Sequence, residues 1–189
     1  MQLQEQPDSD ADVVRRIQSG DDSAFDELMG RYKRPVVNFI FRMLGNADDA
    51  DDVAQDVFVR VYQKLDTYRP ETKFSTWLFA LARNAAIDRL RWRARHPTEA
   101  IDLESPLPAA TDTAEEVDAH EIGALIAAAV SELPEDQRTV LVLAEYQGMS
   151  HAEVAAVMHC SEKSVESRLY RAKQTLRRGL RPLLDDERV

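Results

Sequence analysis

EYQGMSHAEVAAVMHCSEKSVESRLYRAKQTLRR, residues 145–178, has the grammar of two helices joined by a tight turn, and the rest of the chain makes sense around it. Gly148 can take the left-handed backbone that closes one helix, and Ser150 followed by Glu153 is a capping box that opens the next. After His159 and Cys160, Ser161 can cap a second helix in which Val165, Leu169, Ala172, Leu176 and Leu180 form one apolar face. The other face projects Lys163, Ser167, Tyr170 and Gln174, flanked by Glu166 and Arg171, with Arg168, Lys173, Arg177 and Arg178 at its margins. Such a face suits a groove in DNA. A helical hairpin with salt-bridged solvated charges would share much of this pattern. Against that, residues 161–181 gather seven cations, Arg181 the last of them, and only Glu162 and Glu166 as anions.

The 189 residues carry a net charge of −10, which argues against nonspecific coating of nucleic acid and leaves any DNA contact to local basic patches. No apolar run approaches membrane-spanning length, and the polar start MQLQEQPDSDADVV lacks a signal-peptide core. The expectation is a cytoplasmic protein with no stable membrane insertion. A single cysteine, Cys160, excludes an internal disulfide and a thiolate metal cluster. His151, His159 and Cys160 fall short of a fourth ligand, so no metal or cofactor is expected.

Taken in order, Asp10 to Ser19 reads as a short helix ended by Gly20, and Asp22 or Ser23 caps the next, which carries Phe25, Leu28, Met29 and Tyr32. Pro35 is expected to kink or interrupt it before the pattern resumes from Val36 to Leu44. A third helix, about Ala47 to Leu65, buries Val53, Ala54, Val57, Phe58, Val61 and Leu65. Its outer stripe of Asp48, Asp52, Gln55, Val59 and Tyr62 mixes acid, amide and apolar groups, as a docking surface does. Asp66 to Thr72 reads as a loop. The fourth helix, Phe74 to about Arg95, places Phe74, Trp77, Leu78, Leu81, Ala85 and Trp92 on one face. Asp88 falls inside that stripe, where it should be paired with an arginine. The helix ends in Arg89, Arg91, Arg93 and Arg95, a setting for stacking unpaired bases or, more blandly, a solvated tail.

From His96 to about Asp118 the chain is proline-punctuated and acidic with no lysine or arginine, which predicts a flexible linker. Ile122, Leu125, Ile126, Ala129, Val130 and Leu133 then mark an amphipathic helix. Pro134 opens another, with Val140, Leu141, Leu143 and Ala144 inside. No strand pattern competes. The predicted architecture is all-α: two small helical domains, residues 10–95 and 119–184, joined by an acidic linker over 96–118.

In this order, AFDELMGRYKRPVVNFIFRML, ADDVAQDVFVRVYQKL, YRPETKFSTWLFALARNAAIDRLR and LPEDQRTVLVLAEYQGMSHAEVAAVMHCSEKSVESRLYRAK resemble the group IV, extracytoplasmic-function sigma factors of bacterial RNA polymerase, part of the sigma-70 family. The resemblance covers nearly the whole chain. It implies that residues 10–95 are sigma region 2, which docks on core polymerase and melts the minus-10 element, and that 119–184 are sigma region 4, which reads the minus-35 element. By position, Asp52, Gln55, Asp56 and Phe58 match the motif that docks on the β′ clamp helices, and the β flap is the further polymerase contact implied. Tyr68, Arg69, Lys73, Trp77, Arg83, Asn84 and Arg91 fall where the family holds a flipped base and clamps the minus-10 strand. Lys163, Glu166, Ser167, Arg168, Tyr170 and Arg171 fall where it meets minus-35 duplex. An anti-sigma factor is implied as regulator. Two departures stand out: Glu166 where a cation is common, and a loop reading YRPET without the family's usual glycine. Glu166 can accept a hydrogen bond from cytosine N4 or pair along its own helix with Lys163 or Arg171, and the residues leave both open.

Two other classes compete. A stand-alone helix-turn-helix regulator would use the N-terminal unit as a dimerisation or sensor domain and bind duplex unaided. An enzyme holding magnesium on Asp48, Asp49, Asp51 and Asp52 would need a second acidic cluster on a facing helix, and the sequence offers none.

Overall fold

The structure, a computed structural model, describes residues 9–69, 71–96 and 114–181, with side chains in the last segment from residue 123 onward. Eight α-helices run through them: α1 Asp10–Gln18, α2 Asp22–Leu44, α3 Ala47–Lys64, α4 Phe74–Arg95, α5 Ala114–Ser131, α6 Glu135–Leu141, α7 His151–Met158 and α8 Glu162–Gly179. A 3₁₀ turn, Leu65–Thr67, follows α3, and a π-helical turn, Val142–Tyr146, follows α6.

The helix starts follow from the side chains before them. Ser9, Asp21, Asn46, Ser150 and Ser161 each accept a hydrogen bond from a backbone N–H of the first turn, supplying a partner that the helix itself cannot. Gly45 closes α2 at φ +71, a backbone that only glycine adopts cheaply. Of the two expectations for Pro35, a kink or an interruption, the interruption does not occur: α2 continues through it from Asp22 to Leu44. Val36, Phe39, Ile40 and Met43, all fully buried just beyond the proline, hold that second half against the core, so packing outweighs the lost N–H.

In the first unit α2 packs on α1, α3 and α4, and α3 packs on α4. Tyr32 and Arg31 of α2 reach Asp10 at the start of α1, which ties the short helix down. The expected inner face of α3 is the observed one: Val53, Ala54, Val57, Phe58 and Val61 are buried. The expected face of α4 is observed only in part: Phe74, Leu78 and Ala85 of it are buried. Thr76, Leu78, Phe79, Ala82, Ala85, Ala86 and Ile87 are buried, whereas Trp77, Leu81 and Trp92 are half-buried and Asp88 is exposed. The reason is that α4 is covered on more than one side, by α2 and α3 and also by α7, so no single stripe identifies its core.

In the second unit α8 is clasped by α5, α6 and α7. Val165, Leu169 and Ala172 point inward as the heptad-like spacing required. The first helix of this unit starts at Ala114, so the last residues assigned to the linker belong to α5; residues 97–113 lie outside the described ones. The two units abut. One continuous buried cluster runs from Val13 to Ala172, and α4 packs on α7 while α2 packs on α5 and α6.

Candidate nucleic-acid and partner interfaces

On α3, alternate pairs of residues face in and out, so Asp51, Asp52, Gln55, Asp56, Val59 and Tyr62 share the exposed side. Val59 and Tyr62 are 55% and 60% exposed, unusual for groups of their size and apolarity. Phe58 is not on this ridge. It is buried and lines the floor of a groove between α2 and α3, together with Phe25, Met29 and Val37. Tyr62 closes one wall by packing edge-on against Phe25 at 5.2 Å between ring centres. A partner helix laid along this surface would meet carboxylates and an amide beside an apolar channel, the mixture that suits a basic amphipathic helix.

Two aspartates at the start of α3, Asp49 and Asp52, face arginines of α4. Asp49 takes both Arg93 and, at 3.2 Å, Arg89 of α4, while Asp52 lies 3.8 Å from Arg89. Asp49 is the residue whose pairing the spacing did not announce: it joins the start of α3 to the end of α4. Arg93 also donates to the carbonyl of Leu44 at 3.0 Å, satisfying one of the free acceptors at the end of α2. Two of the four arginines at the end of α4 are thereby structural, and Arg91 and Arg95 remain exposed.

The loop before α4 is shaped by aromatics. Tyr68 is buried at 5% exposure, packs against Phe74 and Trp77 at 5.6 Å, and donates its hydroxyl to the carbonyl of Thr72 at 2.7 Å. Burial pushes its phenol pKa up. In this arrangement Tyr68 shapes the loop from within and does not present its ring to a base. Arg69 and Lys73 are exposed on the loop, and Asn84 and Arg91 are exposed on α4. Trp77 is half-buried behind them. Lys73 reaches across to Glu153 at 2.7 Å, and Arg83 lies 3.6 Å from Asp136; both partners belong to the second unit.

The exposed and buried sides of α8 are those expected from the spacing. Lys163, Glu166, Ser167, Tyr170 and Arg171 are exposed, opposite the buried Val165, Leu169 and Ala172. Tyr170, 64% exposed, accepts a hydrogen bond from Gln174 at 2.7 Å. Glu166 pairs along its own helix with neither Lys163 nor Arg171 among the described contacts; it lies 3.9 Å from Nδ1 of His151 on α7. Arg168 is turned away from the outer face and reaches Asp136 at 3.1 Å. The capping box of α7 is complete: the Glu153 carboxylate accepts from the Ser150 N–H at 2.8 Å, and Ser150 Oγ accepts from the Glu153 N–H at 3.3 Å. The ammonium of Lys73, then the Ser150 donors, hold the Glu153 carboxyl down to a pKa of about 2. The turn between α7 and α8 passes through His159 at φ +50, a left-handed backbone on a non-glycine residue that nothing in the spacing announced. Among the described residues no group of three or more His, Cys, Asp or Glu side chains is arranged to hold a metal, and no helix is long and apolar enough to cross a membrane.

Comparison with known proteins shows the family. The family described as Sigma-70 region 2 matches residues 28–96, and that described as Sigma-70, region 4 matches residues 124–176. The chain is 35% identical over 193 aligned positions to the RNA polymerase sigma-H factor of Pseudomonas aeruginosa, covering 94% of this chain and 96% of that one. It is 31% identical over 185 positions to the ECF RNA polymerase sigma-E factor of Escherichia coli, with 93% and 96% covered. Among solved structures, CnrH in complex with the cytosolic domain of CnrY superposes with a TM-score of 0.68 at 30% identity, over 95% of this chain and 99% of that one. The sigma factor RpoE of Bartonella quintana, solved with the anti-sigma factor NepR, shares the fold with a TM-score of 0.68 at 24% identity, over 83% and 96%.

Proposed function

The chain belongs to the extracytoplasmic-function sigma factors of the sigma-70 family, and from that premise we propose that it is a dissociable subunit that binds core RNA polymerase, directs it to minus-35/minus-10 promoters and starts DNA melting. The observation that carries this is the coexistence, on one chain and on separate helices, of an acidic and apolar ridge on α3 and two cationic surfaces on α4 and α8.

Residues 10–95 form the docking and melting unit, 96–118 the connection, and 119–184 the duplex-reading unit. Asp52, Gln55 and Asp56 pair with basic groups of the β′ clamp helices while Phe58 shapes the groove beside them. Arg69, Lys73, Asn84 and Arg91, with Trp77 behind, hold the minus-10 strand and a base turned out of the stack. No bond of the DNA is made or broken in this work: strand separation is driven by binding an unpaired base better than a paired one. Lys163, Glu166, Ser167, Tyr170 and Arg171 lie in the major groove of the minus-35 element, with Arg168 joining them once free of Asp136. The protein acts in the cytoplasm, with an anti-sigma factor as its inhibitor.

Transcription with core polymerase and the purified chain on fragmented genomic DNA, followed by start-site mapping, tests the reading. A shared pair of upstream elements at constant spacing is expected, with no specific initiation by core polymerase alone. A chain that binds such duplexes unaided as a dimer, and adds nothing to initiation, is a stand-alone regulator instead.

A further inference from the structure

The loop between α3 and α4 is gripped near both ends by α1, a helix with no assigned contact to DNA or polymerase. We propose that α1 is a brace for this loop, with Gln18 and Tyr32 as positioning residues that set its strand-receiving shape before DNA arrives, an inference that rests on assigning the loop, residues 66–73, to the minus-10 strand.

At the entrance to the loop Gln18, the last residue of α1, donates its side-chain amide to the carbonyl of Leu65 at 3.0 Å. The same carbonyl receives the Tyr68 N–H at 3.1 Å, so one oxygen both closes the 3₁₀ turn and ties it to α1. At the exit the Tyr32 hydroxyl of α2 donates to the carboxylate of Asp10, the first residue of α1. The Tyr32 ring then packs edge-on against Phe74, the first residue of α4, at 5.4 Å between ring centres. Phe74 in turn meets Tyr68 at 5.6 Å and Trp77 at 5.7 Å, the aromatic set that shapes the loop from within. Burial, and then the hydrogen bond to Asp10, pushes the Tyr32 phenol up, which keeps it a neutral donor. The Asp10 carboxylate also adds to the upward push that burial gives Tyr68.

A brace must itself be fixed, and α1 is. Val13 and Val14 are buried in the core. Glu27 of α2 takes Arg16 of α1 at 3.0 Å and Arg31 at 2.5 Å, and Arg31 lies 2.9 Å from Asp10. The loop has less of its own. Across it the Tyr68 hydroxyl reaches the Thr72 carbonyl at 2.7 Å, and the Thr72 N–H lies a long 3.5 Å from the Arg69 carbonyl. Asp66, Thr67, Arg69, Glu71, Thr72 and Lys73 are all exposed. A loop that orders only as the strand arrives gives up that conformational entropy out of the binding free energy, whereas one already held in shape does not. Through its two grips α1 therefore speeds capture of the unpaired strand by way of the loop.

The test uses the full chain. Gln18→Leu and Tyr32→Phe keep the bulk of each side chain and remove its donor, and Gln18→Lys keeps a donor within reach of the Leu65 carbonyl. In the free protein, hydrogen–deuterium exchange at the Tyr68 amide is expected to quicken roughly three- to tenfold in Gln18→Leu, the weight of one hydrogen bond of ordinary net strength, and to return toward wild type in Gln18→Lys. The holoenzyme is then followed on a mapped promoter carrying 2-aminopurine at the minus-10 base that turns out. The rate of the fluorescence rise should fall by roughly the same factor in Gln18→Leu and in Tyr32→Phe, while core association and closed-complex affinity stay within about twofold. Unchanged Tyr68 exchange in Gln18→Leu overturns the brace. Faster exchange with promoter opening at the wild-type rate overturns the positioning role, and so does slowing matched by an equal loss of core association, the mark of a fold that is merely destabilised. Failure of the underlying assignment shows separately: Arg69→Ala and Lys73→Ala holoenzymes that open the promoter at full rate would remove the loop from the minus-10 site, whereas the exchange measurement is made without DNA.

Discussion

Glu166 and Glu153 show how differently two carboxylates of one helix-turn-helix are used. Glu166 is exposed on the side of α8 proposed to face DNA and lies 3.9 Å from Nδ1 of His151, a loose contact that duplex can displace. A carboxylate is repelled by phosphate but accepts well from the N4 amino group of cytosine, a contact that discriminates bases by about 1–3 kcal/mol. Glu166→Arg is therefore expected to move one minus-35 position from cytosine toward guanine while minus-10 selectivity stays put. Selection from a randomised minus-35 library with both holoenzymes checks it; a uniform gain in affinity with the same consensus would mean that Glu166 reads nothing. Glu153 serves structure. Its carboxyl titrates at about 2 in the folded protein against an ordinary 4.5, so it stabilises the fold while ionised in both states. That contribution is complete above about pH 4.5 and drains away as the pH falls toward 2. Wild type should melt above Glu153→Gln at pH 7, by an amount corresponding to about 1 kcal/mol, with the gap closing through that window. A gap of constant size would separate the capping box from the pKa shift.

At the scale of elements, α3 is the helix whose two faces do different work. The inner face supplies Val53, Val57 and Val61 to the core, and the outer ridge contributes almost nothing to it. Asp52 is 71% exposed and only 3.8 Å from Arg89, a pair worth little to stability. Asp52→Arg combined with Gln55→Ala should then abolish association with core polymerase while shifting the melting temperature by less than about 2–4 °C, the change that 1 kcal/mol makes in a chain of this size. Co-elution of the double variant with core polymerase at wild-type level would remove the docking assignment. Phe58→Ala should behave otherwise, weakening docking and costing about 3–5 kcal/mol of stability, because its ring fills the groove floor.

For the whole molecule, net charge −10 surrounds basic faces, and the acidic segment between the units lies outside the described residues apart from its passage into α5. Replacing Asp112, Glu115, Glu116 and Asp118 with neutral residues should raise low-salt duplex binding by the free chain and steepen its salt dependence. Unchanged affinity and an unchanged salt slope would show that the segment does not fold back on the basic faces.

Most of the local structure was legible because it depends on neighbours in sequence. Ser150 with Glu153, Ser161 and Gly148 declared the helix-turn-helix, and the inner face of α3 and of α8 could be counted off at 3.6 residues per turn. The family, and with it the function, was legible for a related reason: four degenerate stretches in a set order are rarely found together by chance. What tertiary structure alone decided was everything that depends on a second surface. Pro35 stays within one helix because the residues after it are buried; α4 has no single apolar stripe because α7 covers it as well as α2 and α3. Arg83, Arg168 and Lys73 read as free cations along the chain, and only tertiary packing sets carboxylates against them: Asp136 reaches Arg168 within the second unit and Arg83 across the units, Glu153 reaches Lys73 across them, and charge pairing between residues tens of positions apart leaves no periodic trace.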